Sequence, residues 1–232
     1  MAYPPVTVSF LTYQKPEWMA MTLEGLAYAK SRTPFRIQVV GLDATEEVRA
    51  TGRLDVDYRT PPDSGLTRLG RIYKAWNVAV ESAGDGLVAL LNDDMVVSDY
   101  WLDELVDTMY TEPCVPTSLL IESGRIPSAI PEHVRNHGLS PEEFDAEGFR
   151  SHAAAIRRPG VVGEGRLYMP CLFQREQFLQ LGGYPPGNPE GTTGDKDLFA
   201  RFARAGYRHV ECAGSVTYHV QTGSAGGYYA DV

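Results

Sequence analysis

Four apolar runs in the first hundred residues, VTVSFLTY (6–13), FRIQVVGLD (35–43), DVDYRT (55–60) and LVALLNDDMVV (87–97), alternate with stretches of helical character. KPEWMAMTLEGLAYAKS follows the first run, with Pro16 at the first helical position and Trp18, Leu23 and Leu26 on one face. ATEEVRATGR reads as a short helix after the second run. Ser64–Ala83 reads as a longer one, with Leu69, Ile72, Trp76 and Val80 recurring every three or four residues. Strands that alternate with helices predict an α/β fold, Rossmann-like, with a mostly parallel sheet and helices on both faces. Ligands of such sheets bind beyond the carboxyl ends of the strands. Those ends carry Thr12 and Tyr13, then Asp43, then Asn92 to Asp94.

The second half continues with a helix in SDYWLDELVDTMYTE, capped by Ser98 or Asp99, and a strand in VPTSLLIES. Residues 124–160 lose strand periodicity and read as an insertion or lid, with one or two surface helices and Ser140 as an N-cap. The apolar pattern resumes in RLYMPCLFQREQFLQLGGYP and GDKDLFARFARAGYRHVECAGSVTYHV. The organisation expected is one domain over 1–220 and a flexible Gly-rich tail over 221–232. A chain of 232 residues, 43% hydrophobic and 22% charged, suits one larger soluble domain. No apolar run approaches the ~18–20 residues of a membrane span. The first residues lack the basic and apolar pattern of a signal peptide. Cys114, Cys171 and Cys212 form no CxxC pair and read as reduced core thiols. A cytoplasmic protein is expected. A net charge of −9 argues against a surface that coats nucleic acid.

Four features have chemical potential, and each has a plain structural reading beside it. Asp93–Asp94 ends a buried strand: a solvated turn, or an oxygen-donor site for Mg²⁺ or Mn²⁺ on a phosphate. Asp195 and Asp197 open an amphipathic helix that carries Phe199, Phe202 and Ala203 and ends at Gly206. Asp195 reads as a helix cap or as a general base. His219 ends a strand, as a structural residue or as a third donor for a metal. Arg71 and Asn77 share a helix, as surface groups or as ligand contacts. Tyr168 and Tyr184 read as core residues or as platforms for a sugar. No P-loop, no GxGxxG after the first strand and no GxSxG elbow is present, so bound phosphate would have to be met by a metal.

In that order and spacing, the pieces resemble the family 2 glycosyltransferases, nucleotide-sugar-dependent enzymes of the GT-A fold. VTVSFLTYQKPEWMAMTLEGL is similar to the family's opening strand and helix. RIYKAWNVAVESAGDGLVALLNDDMVVSDYWLDELV resembles its asparagine helix and acidic DXD-type motif. CLFQREQFLQLGGYP matches its Gly-Gly-aromatic segment. GDKDLFARFARAGYRHVECAGSVTYHV resembles its acidic helix and the following strand that ends in histidine. The likeness runs from Val6 to about Val220.

The resemblance implies a metal-dependent, inverting transfer of a glycosyl group from a nucleotide-diphosphate sugar, expected to be a UDP-sugar, to an acceptor hydroxyl. It implies that Asp94 holds Mn²⁺ or Mg²⁺ on the diphosphate and that His219 is a second ligand to the metal or the diphosphate. Asp93 would meet the donor's ribose, and Asp195 would be the general base. Thr12, Tyr13, Asp43, Arg71 and Asn77 would lie around the nucleotide. The chain departs from the pattern at three places. VVGLDAT keeps only Asp43 where the family has a pair of aspartates. Trp76 stands where arginine is common, and Gly194 replaces the glutamate before the base, which leaves Asp197 as a rival to Asp195. Two other classes fit parts of the pattern: a nucleotidyltransferase of related fold, which would carry a Gly-rich basic signature after the first strand, and a non-catalytic sugar- or nucleotide-binding module. The partners expected are the donor and a hydroxyl acceptor that the sequence does not identify.

Overall fold

Val6–Thr12 (β1) is buried at every position, as a strand with sheet neighbours on both edges and helices on both faces must be. The computed structural model describes residues 5–12, 16–41, 56–59, 68–126 and 130–221. β1 pairs in parallel with Phe35–Gly41 (β2) on one side and Leu87–Asn92 (β4) on the other, and β2 pairs in parallel with Val56–Arg59 (β3). Cys171–Gln174 (β8) runs antiparallel between β4 and Cys114–Glu122 (β6). β6 then pairs in parallel with Arg208–His219 (β9). The far edge of β9 carries Met95–Val97 (β5) and Val162–Glu164 (β7), both antiparallel. The sheet is therefore mixed, with order β3-β2-β1-β4-β8-β6-β9-β5 and β7 beside β9. Because β8 is antiparallel to both its neighbours, β1, β2, β3, β4, β6 and β9 all end at the same edge.

One face of the sheet packs Val8, Phe10, Ala89 and Leu172 against Pro16–Tyr28 (α1) and Trp101–Thr111 (α3). The other face packs Leu90, Phe173 and Val40 against Arg68–Ser82 (α2), Arg175–Gln180 (α5) and Gly194–Arg204 (α6). It continues as a smaller cluster where Phe149 and Ala153 of Ala146–Ile156 (α4) meet Tyr218 and Val216. Helices on both faces of an α/β sheet are what the sequence predicts, and four of the eight strand pairings are parallel. All three cysteines are buried and free. Among the described residues no helix is long and apolar enough to cross a membrane.

Several boundaries differ from expectation. The run 87–97 is two strands, because Asp93 and Asp94 form a turn between β4 and β5. The first residue before α3 is Tyr100 in the left-handed region (φ 63), so neither Ser98 nor Asp99 caps that helix. Asp99 instead accepts from the Lys30 backbone at 2.9 Å and pairs with its ammonium. Asp145, not Ser140, caps α4 by accepting from Gly148 N, while Ser140 closes a turn on Glu143 N. The helix read in 44–53, the start of the helix read from Ser64, and the tail beyond 221 lie outside the described residues.

The excursion between β6 and β7 is fastened at both ends. Arg135 N donates to Glu122 O at 2.9 Å, next to a bridge between Glu122 and Val134. At the other end β9 carries three extra residues, Ala213, Gly214 and Ser215, between the pairs Ser118↔Cys212 and Leu119↔Val216. Arg158 N and Val161 O bond the backbone of Ala213, and Arg157 Nε donates to Gly214 O at 2.8 Å. Glu104 of α3 accepts from Arg157 at 2.8 Å and from Gly160 N at 3.0 Å.

Candidate active site

Three carboxylates and a histidine gather where β4, β6 and β9 end. The turn after β4 is held by Thr22 of α1, whose hydroxyl donates to the carbonyls of Asp93 (2.6 Å) and Met95 (3.1 Å). Val220 N donates to Asp94 O at 3.1 Å, which ties the turn to the end of β9. Asp93 and Asp94 are both buried, at 2% and 5% exposure. The reading of a solvated turn is thereby set aside: these charges sit inside the fold and need partners. Asp94 has one in His219, whose Nε2 lies 3.3 Å from Oδ2. His219 Nδ1 lies 3.9 Å from Glu122 Oε1. Burial by itself would depress the imidazole, but Asp94 and then Glu122 outweigh it and hold the His219 pKa up at about 9.

This geometry suits a divalent cation. Two cis donors sharing a magnesium-like ion at ~2.1 Å stand roughly 3 Å apart, close to the Asp94–His219 separation. Among the described residues no group of three or more His, Cys, Asp or Glu side chains is placed to hold a metal ion. An open site of one carboxylate and one imidazole is the kind completed by waters and a ligand's phosphates. Thr12, at the end of β1 with Leu11 opposite Asn92, has a fully buried hydroxyl with no hydrogen-bond partner among the described residues.

A further carboxylate, Asp195, lies at the mouth of α6. Thr193 is the N-cap, its hydroxyl accepting from Lys196 N, so Asp195 is not the cap but the second residue of the helix. Its surroundings are Tyr184, Tyr168 and Cys171, all of whose pKa values burial and then the Asp195 charge push up. Cys171 stands opposite Leu90 of β4, which locates Asp195 at the same sheet edge as Asp94. Burial raises the Asp195 pKa above the ordinary carboxylate value. Asp197 is engaged elsewhere: Arg201 Nε donates to it at 2.9 Å, and the same guanidinium donates to the carbonyls of Leu181 and Gly183.

The support behind Asp195 explains two sequence features. Gly194 is glycine because a Cβ there would come within 2.4 Å of the Tyr73 ring, and its N–H donates to Tyr73 Oη at 3.1 Å. The space of a longer side chain is filled by that tyrosine. Tyr73 stacks on Tyr184 with centroids 5.2 Å apart and planes 5° from parallel. Asn77, expected near the nucleotide, has both ends of its amide on the Tyr184 backbone, donating to O at 2.8 Å and accepting from N at 2.7 Å. Gly183, with φ 62, leaves room for it, since a Cβ would meet Asn77 Oδ1 at 2.5 Å.

Tyr184 is 2% exposed and is a core residue, whereas Tyr168 is half-buried and packs against the core beside Phe199 and His209. Arg71 is partly buried on α2 and makes no side-chain hydrogen bond or ion pair among the described residues. Tyr13 and Asp43 lie outside the described residues. Of the excursion's histidines, His137 and His152 face each other at 3.0 Å, and burial holds both below the usual imidazole range. The sequence reading missed Glu122. Its one signal was the signal of Asp94: a carboxylate at the end of a buried strand.

No protein-family profile matches the chain. A glucosyl-dolichyl phosphate glucuronosyltransferase of Haloferax volcanii is 28% identical over 230 residues, which cover 93% of this chain and 67% of that protein. Among solved structures, GalNAc-T7 with UDP, GalNAc and Mn²⁺ superposes with a TM-score of 0.64 at 14% identity over 93% of this chain. S. aureus TarS 1-349 superposes with a TM-score of 0.59 at 12% identity, also over 93%. The chain spans 43% and 60% of those two structures. The fold is the GT-A fold that the resemblance implied, and the curated relative is named as a glycosyltransferase.

Proposed function

We propose that this chain is a glycosyltransferase that moves a sugar from a nucleotide-diphosphate donor to an acceptor hydroxyl with inversion, using a divalent cation. The observation that carries the reading is the placement of two unlike carboxylates at one sheet edge: Asp94 against His219, and the half-buried Asp195 beside Tyr184, Tyr168 and Cys171. Asp94 and His219 would hold Mn²⁺ or Mg²⁺. The bound ion would supply neutralisation of the charge that builds on the leaving diphosphate. Thr12 offers a buried hydroxyl to the nucleotide, and Asp93 lies beside Asp94 for the ribose. Tyr13, Asp43 and Arg71 are the further candidates around the base. Asp195 accepts the acceptor's proton as the hydroxyl oxygen attacks the anomeric carbon from the face opposite the diphosphate. A single displacement of this kind requires one base and no covalent intermediate.

A UDP-sugar is the proposed donor. The name of the Haloferax relative makes a glucuronosyl donor and a lipid-phosphate-linked glucose the first pair to try. The test is calorimetric titration of UDP, GDP, dTDP and CDP, each with and without Mn²⁺, on the wild type and Asp94→Asn. The expected outcome is binding of one nucleotide that requires both Mn²⁺ and Asp94. Binding indifferent to both would overturn the metal-dependent reading, and binding without turnover of any sugar donor would reduce the chain to a binding module.

A further inference from the structure

Glu122 closes β6 and is 6% exposed. Parallel pairing of β6 and β9 sets it directly opposite His219. Its Oε1 accepts from Gln221 Nε2 at 3.0 Å. Gln221 stands just past β9 with φ 65, and its own amide oxygen accepts from Gly124 N at 3.0 Å and Ser123 Oγ at 3.2 Å. Glu122 is thus a fixed carboxylate aimed at one nitrogen of an imidazole whose other nitrogen faces Asp94.

A neutral imidazole has one N–H and one lone pair. To share a cation with Asp94, the ring must present the Nε2 lone pair, which requires the proton on Nδ1. The group facing Nδ1 is Glu122, at 3.9 Å, a separation that a modest rotation of the ring converts to a hydrogen bond. We propose that Glu122 is a positioning residue that acts through His219: it holds the Nδ1 proton and turns the Nε2 lone pair toward the cation shared with Asp94. This rests on the metal-dependent reading above. The competing role, in which Glu122 only braces the 123–126 turn through Gln221, predicts no effect on metal.

The experiment measures Mn²⁺ binding to the metal-free full chain, from the free-ion electron paramagnetic resonance signal, with UDP present. The variants are Glu122→Gln, His219→Ala, the two combined, and Asp94→Asn. Glutamine at 122 can still accept from Gln221, so the fold is retained, and a melting curve of each variant verifies it. Its oxygen keeps its place toward Nδ1, but the negative charge that holds the proton there is gone. Glu122→Gln is expected to weaken Mn²⁺ binding by roughly 10–100-fold, the usual cost of losing a partner behind a metal-bound histidine. In the His219→Ala background the same change is expected to have no further effect. Wild-type Mn²⁺ affinity in Glu122→Gln, with Asp94→Asn impaired, would overturn this inference alone. So would an equal loss in both backgrounds. Wild-type affinity in Asp94→Asn and His219→Ala would overturn the metal reading beneath it.

Discussion

Asp94 and Asp195 lie at one edge of one sheet, the first buried and the second half-buried, yet their neighbours differ in kind. Asp94 meets charge: His219 stands 3.3 Å away, and Glu122 backs the histidine. Asp195 meets two phenols and a thiol, and burial drives its proton affinity up. An opposite charge favours the ionised carboxylate, whereas an apolar wall favours the protonated one. The first setting suits the proposed ligand for a cation, and the second suits the proposed base for an alcohol's proton. On that proposal the same side chain has two tasks, set by what is packed around it.

The sharpest way to break this contrast is to neutralise each aspartate in turn. Asp195→Asn is expected to lower turnover by about 10²–10⁴-fold, while Mn²⁺-dependent nucleotide binding stays at the wild-type level. Asp94→Asn is expected to lose that binding itself. Paired assays of product formation and calorimetric affinity check both, and parallel losses in the two variants would erase the distinction. Next in size are changes to the scaffold behind Asp195. Asn77→Ala leaves the N–H and C=O of Tyr184 unmatched and should cost about 1–3 kcal/mol in urea unfolding. Gly194→Ala drives a methyl group into the Tyr73 ring and should cost roughly 1–3 kcal/mol, with reduced turnover as Asp195 shifts.

The smallest effects are the most telling in sign, measured in metal-free buffer. His219 has a folded pKa of about 9 against 6.5 unfolded. Its pairing therefore stabilises the fold fully below pH 6.5, and the benefit fades as pH rises through 9. Asp94→Asn should accordingly lower stability most near pH 6 and least near pH 9. Asp195, with its pKa raised in the fold, is a liability once ionised. Asp195→Asn should raise the melting temperature at pH 7, even as it removes activity.

Much of this was legible from the chain. Apolar runs between amphipathic helices indicated the layers, and polar residues at three strand ends, Thr12–Tyr13, Asp43 and Asn92–Asp94, marked the edge beyond which ligands of such sheets bind. What escaped depended on neighbours remote in sequence. Glu122 ends VPTSLLIE much as any edge residue ends a strand, and its meaning comes from β9, which pairs with it from 97 positions away. Asn77 looked like a ligand contact until the Tyr184 backbone closed on both ends of its amide. Local caps failed for a simpler reason. In TTGDKD several side chains stand within reach of the first free N–H groups, and the geometry selects Thr193. Tyr100 begins α3 in a conformation that its residue type rarely adopts.

The fastening of the 124–160 excursion has a consequence for how relatives of this chain can diverge. One foot stands on Glu122 and Val134, and the other on the three extra residues of β9 and Glu104. Between the feet the excursion is tied to β9 as well, because His137 N donates to the Tyr218 hydroxyl at 3.0 Å and that hydroxyl donates to Gly138 O at 2.6 Å. At the feet, an inserted or deleted residue would pull on the two strands that end in Glu122 and His219.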